Sequence, residues 1–127
     1  MPQEFTIYNR TRRELVRHVS GIDAGLMAYI RNPFCSAALM LLLANSNGYH
    51  DGDVGYGLSE EALDLIGRWN GRWAGHRIVI QGSSADEEDD AYIKPEMIAY
   101  YRDITDEIYT ALETAYPNGF PSQYDDV

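Results

Sequence analysis

Five consecutive carboxylates, Asp86-Glu87-Glu88-Asp89-Asp90, are the densest run of chemistry-bearing side chains in this sequence. Paired carboxylates are the raw material of acid–base catalysis and of cation binding. A chain with 20 acids can supply such a pair almost anywhere, so their presence alone names no reaction. A second group, His50, Asp51 and Asp53, sits on the glycine-rich stretch GYHDGDVGYG at 48–57. Oxygen ligands with one imidazole could hold Ca²⁺ or a transition ion. Set against the twelve-residue calcium loop of an EF-hand, the stretch fails: Gly55 falls at position five, Tyr56 at six and Ala62 at twelve. The three histidines, 18, 50 and 76, lack the spacing of two ligands on one helical face, and His76 reads as a structural donor opening a strand.

Nucleophiles fare no better. Ser83-Ser84 lie outside any Gly-x-Ser-x-Gly turn, and Cys35 falls inside an apolar helical run, where a thiol is an inert core group. Neither G-x-G-x-x-G nor G-x-x-x-x-G-K-[ST] occurs, so no phosphate cradle is marked. The motifs weigh against an enzyme without deciding the matter, and they demand no cofactor.

Charge is the strongest global feature. Twenty acids against ten basic residues give a net −10, and Lys94 is the one lysine. Five arginines and three acids leave residues 1–32 at +2, so the remaining 95 carry −12. Such a surface repels nucleic-acid phosphates and attracts basic proteins. The expected partner is therefore a basic protein or nucleoprotein complex, met without direct nucleic-acid or membrane contact, and homo-oligomerisation stays open. The anchoring residues expected for it are Asp86, Glu87, Glu88, Asp89, Asp90, Tyr92, Tyr101 and Asp103. They combine a row of carboxylates with aromatic side chains, as interface anchors often do. The competing reading of Asp86–Asp90 is a solvated loop.

These residues need a frame. With 127 residues, 45% apolar, the chain suits a single domain spanning 1–127, with about 117–127 as a tail. FTIY at 5–8 alternates and pairs across NRTRR with ELV at 14–16 as a hairpin. The competing reading there is a helix begun by a Thr11-x-x-Glu14 capping box. Pro33 opens a helix in which ten of the next twelve residues are apolar, which predicts burial on nearly all faces. Ser59 caps a short helix over Glu60–Ile66 that Gly67 ends, and HRIVIQG at 76–82 is the main strand. Between them GRWNGRWAG carries glycines at 67, 71 and 75, a spacing known from membrane helices. Arg68, Asn70 and Arg72 inside it exclude that reading. It reads as a turn leaving Trp69 and Trp73 at the core edge. Met97–Tyr101 reads as a strand or a helix end, and Thr105 caps a final helix with Asp106 and Glu107 in its first turn. The fold class is α+β: a small sheet of three or four mostly antiparallel strands packed on a central buried helix and a C-terminal helix. One cysteine, no apolar leader and no run long enough to span a bilayer point to the cytoplasm.

Three stretches carry a resemblance: ALMLLLANSNG–HDGD at 38–53, GRWAGHRIVIQG–ADEED at 71–89 and YRDITDEIYTAL at 101–112. In this order they resemble a family of small bacteriophage and prophage proteins. That family pairs an apolar helix and Gly/Asp loop with a Trp-Ala-Gly-x-Arg strand start and a Tyr-x-Asp-Ile-Ser/Thr helix start. Here His76 stands where the family has an aspartate, and Ser83-Ser84 replace Asp-Tyr. The resemblance implies a phage context and no defined activity. Combined with the charge, it leads to a phage or mobile-element protein that binds a host factor, such as an anti-CRISPR-like inhibitor of nucleic-acid-targeting defence. The alternatives are a small metal-dependent enzyme or binding domain using the 48–57 and 82–90 loops, and a structural or self-assembling phage protein.

Overall fold

Alternation of β-branched and aromatic residues makes Phe5–Asn9 a strand, β1, and Glu14–Arg17 its antiparallel partner, β2, with Ile7 opposite Val16 and Asn9 opposite Glu14. The hairpin reading therefore holds over the capping-box helix. The computed structural model describes residues 5–17, 33–45 and 58–117. Within it follow helix α1 (Pro33–Leu43), helix α2 (Glu60–Trp69), strand β3 (Ile78–Gly82), the short helix α3 (Pro95–Ile98), the two-residue strand β4 (Arg102–Asp103) and helix α4 (Thr105–Ala115). The strands form one mixed sheet, ordered β3-β1-β2-β4, antiparallel except for the β2–β4 pair. This is the α+β arrangement the sequence predicts.

The pleat divides the core in two. Ile7 and Val16 face the helices and join Cys35, Ala38, Leu42, Ile66, Ile108 and Leu112 in the main cluster. Tyr8 and Leu15 face the other way and meet Ile93, Ile98 and Tyr101. The sheet thus separates a helical layer from a layer built by residues 83–101. No helix among the described residues is long and apolar enough to cross a membrane.

Four local expectations are corrected. Helix α1 is not buried all round: Cys35, Ala38, Leu41 and Leu42 are inside, but Met40 is 74% exposed and Leu43 38%. The buried four recur at i, i+3, i+6 and i+7 and so share one face, and α2 and α4 are its described helical neighbours. Gly67 does not end α2, which runs through Arg68 to Trp69, because burying Trp69 against the core outweighs the roughly 1 kcal/mol that an internal glycine costs. Ser59 does cap that helix, its hydroxyl accepting from the Ala62 N–H at 3.2 Å. Thr105 is the first helical residue of α4 rather than its cap. Its buried hydroxyl accepts from the Arg17 backbone N–H at 2.8 Å, and Asp103 Oδ1 takes the Thr105 N–H at 2.9 Å. Tryptophans 69 and 73 belong to the core itself, Trp73 with 0% exposure.

GRWNGRWAG owes its position to polar groups elsewhere that need partners: two helix-end carbonyls and a buried carboxylate. A helix leaves its last carbonyls without partners. In α1 the Leu41 and Leu42 carbonyls accept from the backbone N–H groups of Gly71 (2.9 Å) and Trp73 (2.8 Å). The approach is tight enough that a Cβ on Gly71, whose φ is +76°, would lie 2.9 Å from the Ala44 carbonyl oxygen. The second group is Glu14, 3% exposed on the helix-facing side of β2. Trp73 Nε1 donates to its Oε1 at 2.9 Å and Arg72 Nη2 to its Oε2 at 2.6 Å, while the Arg72 guanidinium lies 5.3 Å above the Trp69 ring. Burial pushes the Glu14 carboxyl up. The hydrogen bonds from Arg72 and Trp73, with the charges of Arg72 and Arg12, outweigh it and hold the group below its ordinary value.

Candidate functional site

Among the described residues β3 is an edge strand, and the acidic run leaves from its end. After Gly82 the chain folds through successive tight turns, in which the Ala85 N–H donates to the Gly82 carbonyl, Asp89 to Asp86 and Tyr92 to Asp89, at 3.0–3.1 Å. Aspartates suit such turns because their carboxylates can bond the backbone two residues on. Asp86 Oδ1 accepts from the Glu88 N–H at 2.9 Å and Asp89 Oδ1 from the Ala91 N–H at 2.7 Å. The segment is then tied to the sheet. Gln81 on β3 both accepts from the Ile93 N–H (2.7 Å) and donates to the Ile93 carbonyl (3.0 Å), while Arg10 Nη1 reaches the carbonyls of Asp90 and Ala91 at 3.5 and 3.4 Å.

All five acids, Asp86 to Asp90, are exposed, and none forms an ion pair among the described residues. The contrast with other acids is sharp: Glu14 pairs with Arg72, Asp103 with Arg17, and Glu107 with Arg102. Among the described residues nothing neutralises the row's charge. Asp86, Asp89 and Tyr92 also line a groove of about 310 Å³ beside β3, together with Phe5, Val79 and Ile80.

The other anticipated anchors lie elsewhere. Asp103 is on β4, separated from β3 by β1 and β2, roughly 14 Å at the usual strand spacing. Burial raises its carboxyl, but hydrogen bonds from Thr105 and the charge and hydrogen bond of Arg17 bring it below the ordinary value. Tyr101 is half-buried and meets the Tyr8 ring edge-on, at 5.6 Å between centroids, so it belongs to the lesser core cluster. Its neighbour Tyr100 is 74% exposed. The eight residues thus divide into six gathered beside β3 and two placed toward β4. Sequence proximity to the acids suggested one surface, and strand order separates them.

His50, Asp51 and Asp53 lie outside the described residues. Among the described residues no three His, Cys, Asp or Glu side chains gather as a metal site. Cys35 is buried, and Ser83 and Ser84 are exposed at the turn after β3. His76 faces the fully buried Asn9, with His76 Nδ1 3.0 Å from Asn9 Nδ2. Because Asn9 Oδ1 already accepts from the Arg12 N–H at 2.8 Å, its amide nitrogen must donate, which makes His76 the acceptor of this bond rather than the donor expected.

The residues that sequence reasoning missed are Phe5, Val79 and Ile80. In the sequence they are strand positions, and nothing there says which strand lies at an edge. The signal was there in part: β3 leads directly into the acidic run. Comparison with protein-family models, curated proteins and solved structures finds no match to this chain.

Proposed function

We propose that this protein binds a basic protein partner through the Asp86–Asp90 row. The observation that supports this most directly is that the five carboxylates are exposed, unpaired among the described residues, and held on a hydrogen-bonded frame. A floating acidic loop would lose conformational entropy on binding, whereas a row already fixed by Gln81, Arg10 and its own aspartate turns loses less. Carboxylates in such a row can stand in for backbone phosphates, so the partner of best fit is the basic groove of a nucleic-acid-handling protein. With the phage context that the sequence resemblance implies, the narrower form of the proposal is an inhibitor of a nucleic-acid-targeting defence complex in a bacterial host.

The test is affinity capture from a bacterial host lysate at low and high salt, using the wild-type chain beside a variant with Asp86–Asp90 all changed to their amides. The expected result is a basic nucleic-acid-binding protein retained at low salt by the wild type and released by the variant. Attraction of this kind falls away beyond a screening length of about 10 Å at 0.1 M salt. Equal capture by both proteins, or none by either, would reject the proposal.

A further inference from the structure

Among the described residues, the edge of β3 beside the acidic row has backbone groups that no strand takes up. In the β1–β3 pair, the Arg10 N–H donates to the Arg77 carbonyl at 2.9 Å, and the register runs Asn9↔Ile78, Tyr8↔Val79, Ile7↔Ile80, Thr6↔Gln81. Antiparallel hydrogen-bonded pairs recur every second residue, so Arg77, Val79 and Gln81 point their backbone groups at β1. The N–H and C=O groups of Ile78 and Ile80 therefore point away from the sheet. Among the described residues no strand pairs with that side. At the other edge, by contrast, the carbonyls of Arg13, just before β2, and of Leu15 on it accept from the Arg102 and Ile104 N–H groups, and Thr105 Oγ1 takes the Arg17 N–H.

Edge strands are ordinarily blunted by lysine, proline or a bulge. β3 has none of these. Its sequence is Ile-Val-Ile-Gln-Gly, its pairing to β1 is regular across five residues, and Ile80 is 44% exposed. Phe5, Val79 and Ile80 form the apolar part of the adjoining groove, and Asp86 and Asp89 its acidic wall. We propose that this edge accepts an extended, basic segment of the partner as an added strand. Backbone bonds would form to Ile78 and Ile80, alternate apolar side chains would enter the groove, and lysine or arginine side chains would meet Asp86 and Asp89. Charge selects this occupant over a second copy of the chain, which would bring its own five-acid row and a net charge of −10 to the same edge. Strand addition supplies affinity through the backbone and specificity through alternating side chains, matching the two halves of this surface. The inference rests on the acidic-partner reading and adds to it the partner's conformation.

The test uses amide hydrogen exchange followed by NMR, with an eight-residue peptide of alternating lysine and valine as the probe. A control peptide of the same sequence is N-methylated on alternate residues, so that it keeps its charge and loses its pairing. In the free protein, the Ile78 and Ile80 amides should exchange ~100-fold faster than those of Val79 and Gln81. Adding the pairing peptide at low salt should slow Ile78 and Ile80 by about tenfold or more, and the methylated peptide should not. Ile80→Pro removes only an outward-pointing N–H and should abolish the protection. Should that variant fail to fold, Ile80→Lys, which sets a cation against the basic strand, should weaken it at least tenfold.

Slow exchange of Ile78 and Ile80 in the free protein would overturn the inference, since the edge would then be covered by the chain itself. Salt-sensitive shifts at Asp86–Asp90 that are equal for both peptides, with Ile78 and Ile80 unprotected, would overturn strand addition while leaving the acidic surface standing. No response to the pairing peptide would also overturn it, and the lysate capture would then judge the acidic row by itself.

Discussion

Replacing Glu14 by glutamine changes one oxygen to an NH₂ group and almost nothing in volume. The carboxylate accepts from Arg72 Nε at 3.0 and 3.2 Å, from Arg72 Nη2 at 2.6 Å and from Trp73 Nε1 at 2.9 Å. Every one of these partners is a donor, so the new NH₂ must face a donor whichever way the amide turns. If the remaining oxygen serves Trp73, the guanidinium loses its charge partner in a site where the Glu14 side chain is only 4% exposed. If it serves Arg72, the indole N–H of a fully buried tryptophan is left unmet. Leaving a buried donor unsatisfied costs about 1–3 kcal/mol. Removing one member of a buried pair costs about 3–5 kcal/mol, and Arg72, with 23% of its side chain exposed, recovers part of that in water. The expected loss is about 3 kcal/mol, measured by urea unfolding at pH 7 followed through tryptophan fluorescence. Arg72→Met alone should cost a similar amount, and the double variant should cost less than the sum of the two, with a coupling of at least about 1 kcal/mol. A Glu14→Gln loss below about 1 kcal/mol, or strict additivity, would refute the claim that Arg72 and Trp73 are held in place by this carboxylate.

The same carboxylate sets an acid limit. Glu14 and Asp103 both titrate below their ordinary values in the folded chain, so the unfolded chain binds their protons first as pH falls. Their contribution to stability is complete above the ordinary carboxylate range, about pH 4–4.5, and is lost as pH falls from there through the lower folded-state values; unfolding free energy measured from pH 7 downward should begin to fall below about pH 4.5, and less steeply in Glu14→Gln. Gly71→Ala and Gly75→Ala separate backbone strain from collision, since both glycines have positive φ, +76° and +78°, but only the first would place its Cβ against a backbone oxygen. Thermal unfolding should show about 1–2 kcal/mol lost at Gly75 and clearly more at Gly71. Changing Glu87, Glu88 and Asp90 to amides should leave the melting temperature unchanged or raise it, because none of them has an ion pair among the described residues and each repels its neighbours. A fall of several degrees would mean that the row holds the fold together rather than facing a partner.

Local sequence patterns carried much of this architecture. Alternation in FTIYN and the turn after it specify the hairpin, and the serine before Glu60-Glu61 specifies a helix start. Ile-Val-Ile specifies a strand, because these signals arise from neighbours a few residues apart. The acidic row was equally legible, since consecutive charges cannot be buried and must lie on a surface. What the sequence could not show is which strand lies at an edge. The order β3-β1-β2-β4 places Asp86–Asp90 beside a strand edge that is unpaired among the described residues and takes Asp103 and Tyr101 away from it, although 103 is only thirteen residues beyond 90. Nor could it show that GRWNGRWAG would be bound to Glu14, 58 and 59 residues earlier, and to the carbonyl end of α1. Glycine, arginine and tryptophan each have several ordinary uses in a chain. Which one applies here is decided by a buried carboxylate and two unmet carbonyls that only tertiary packing brings within 3 Å of them.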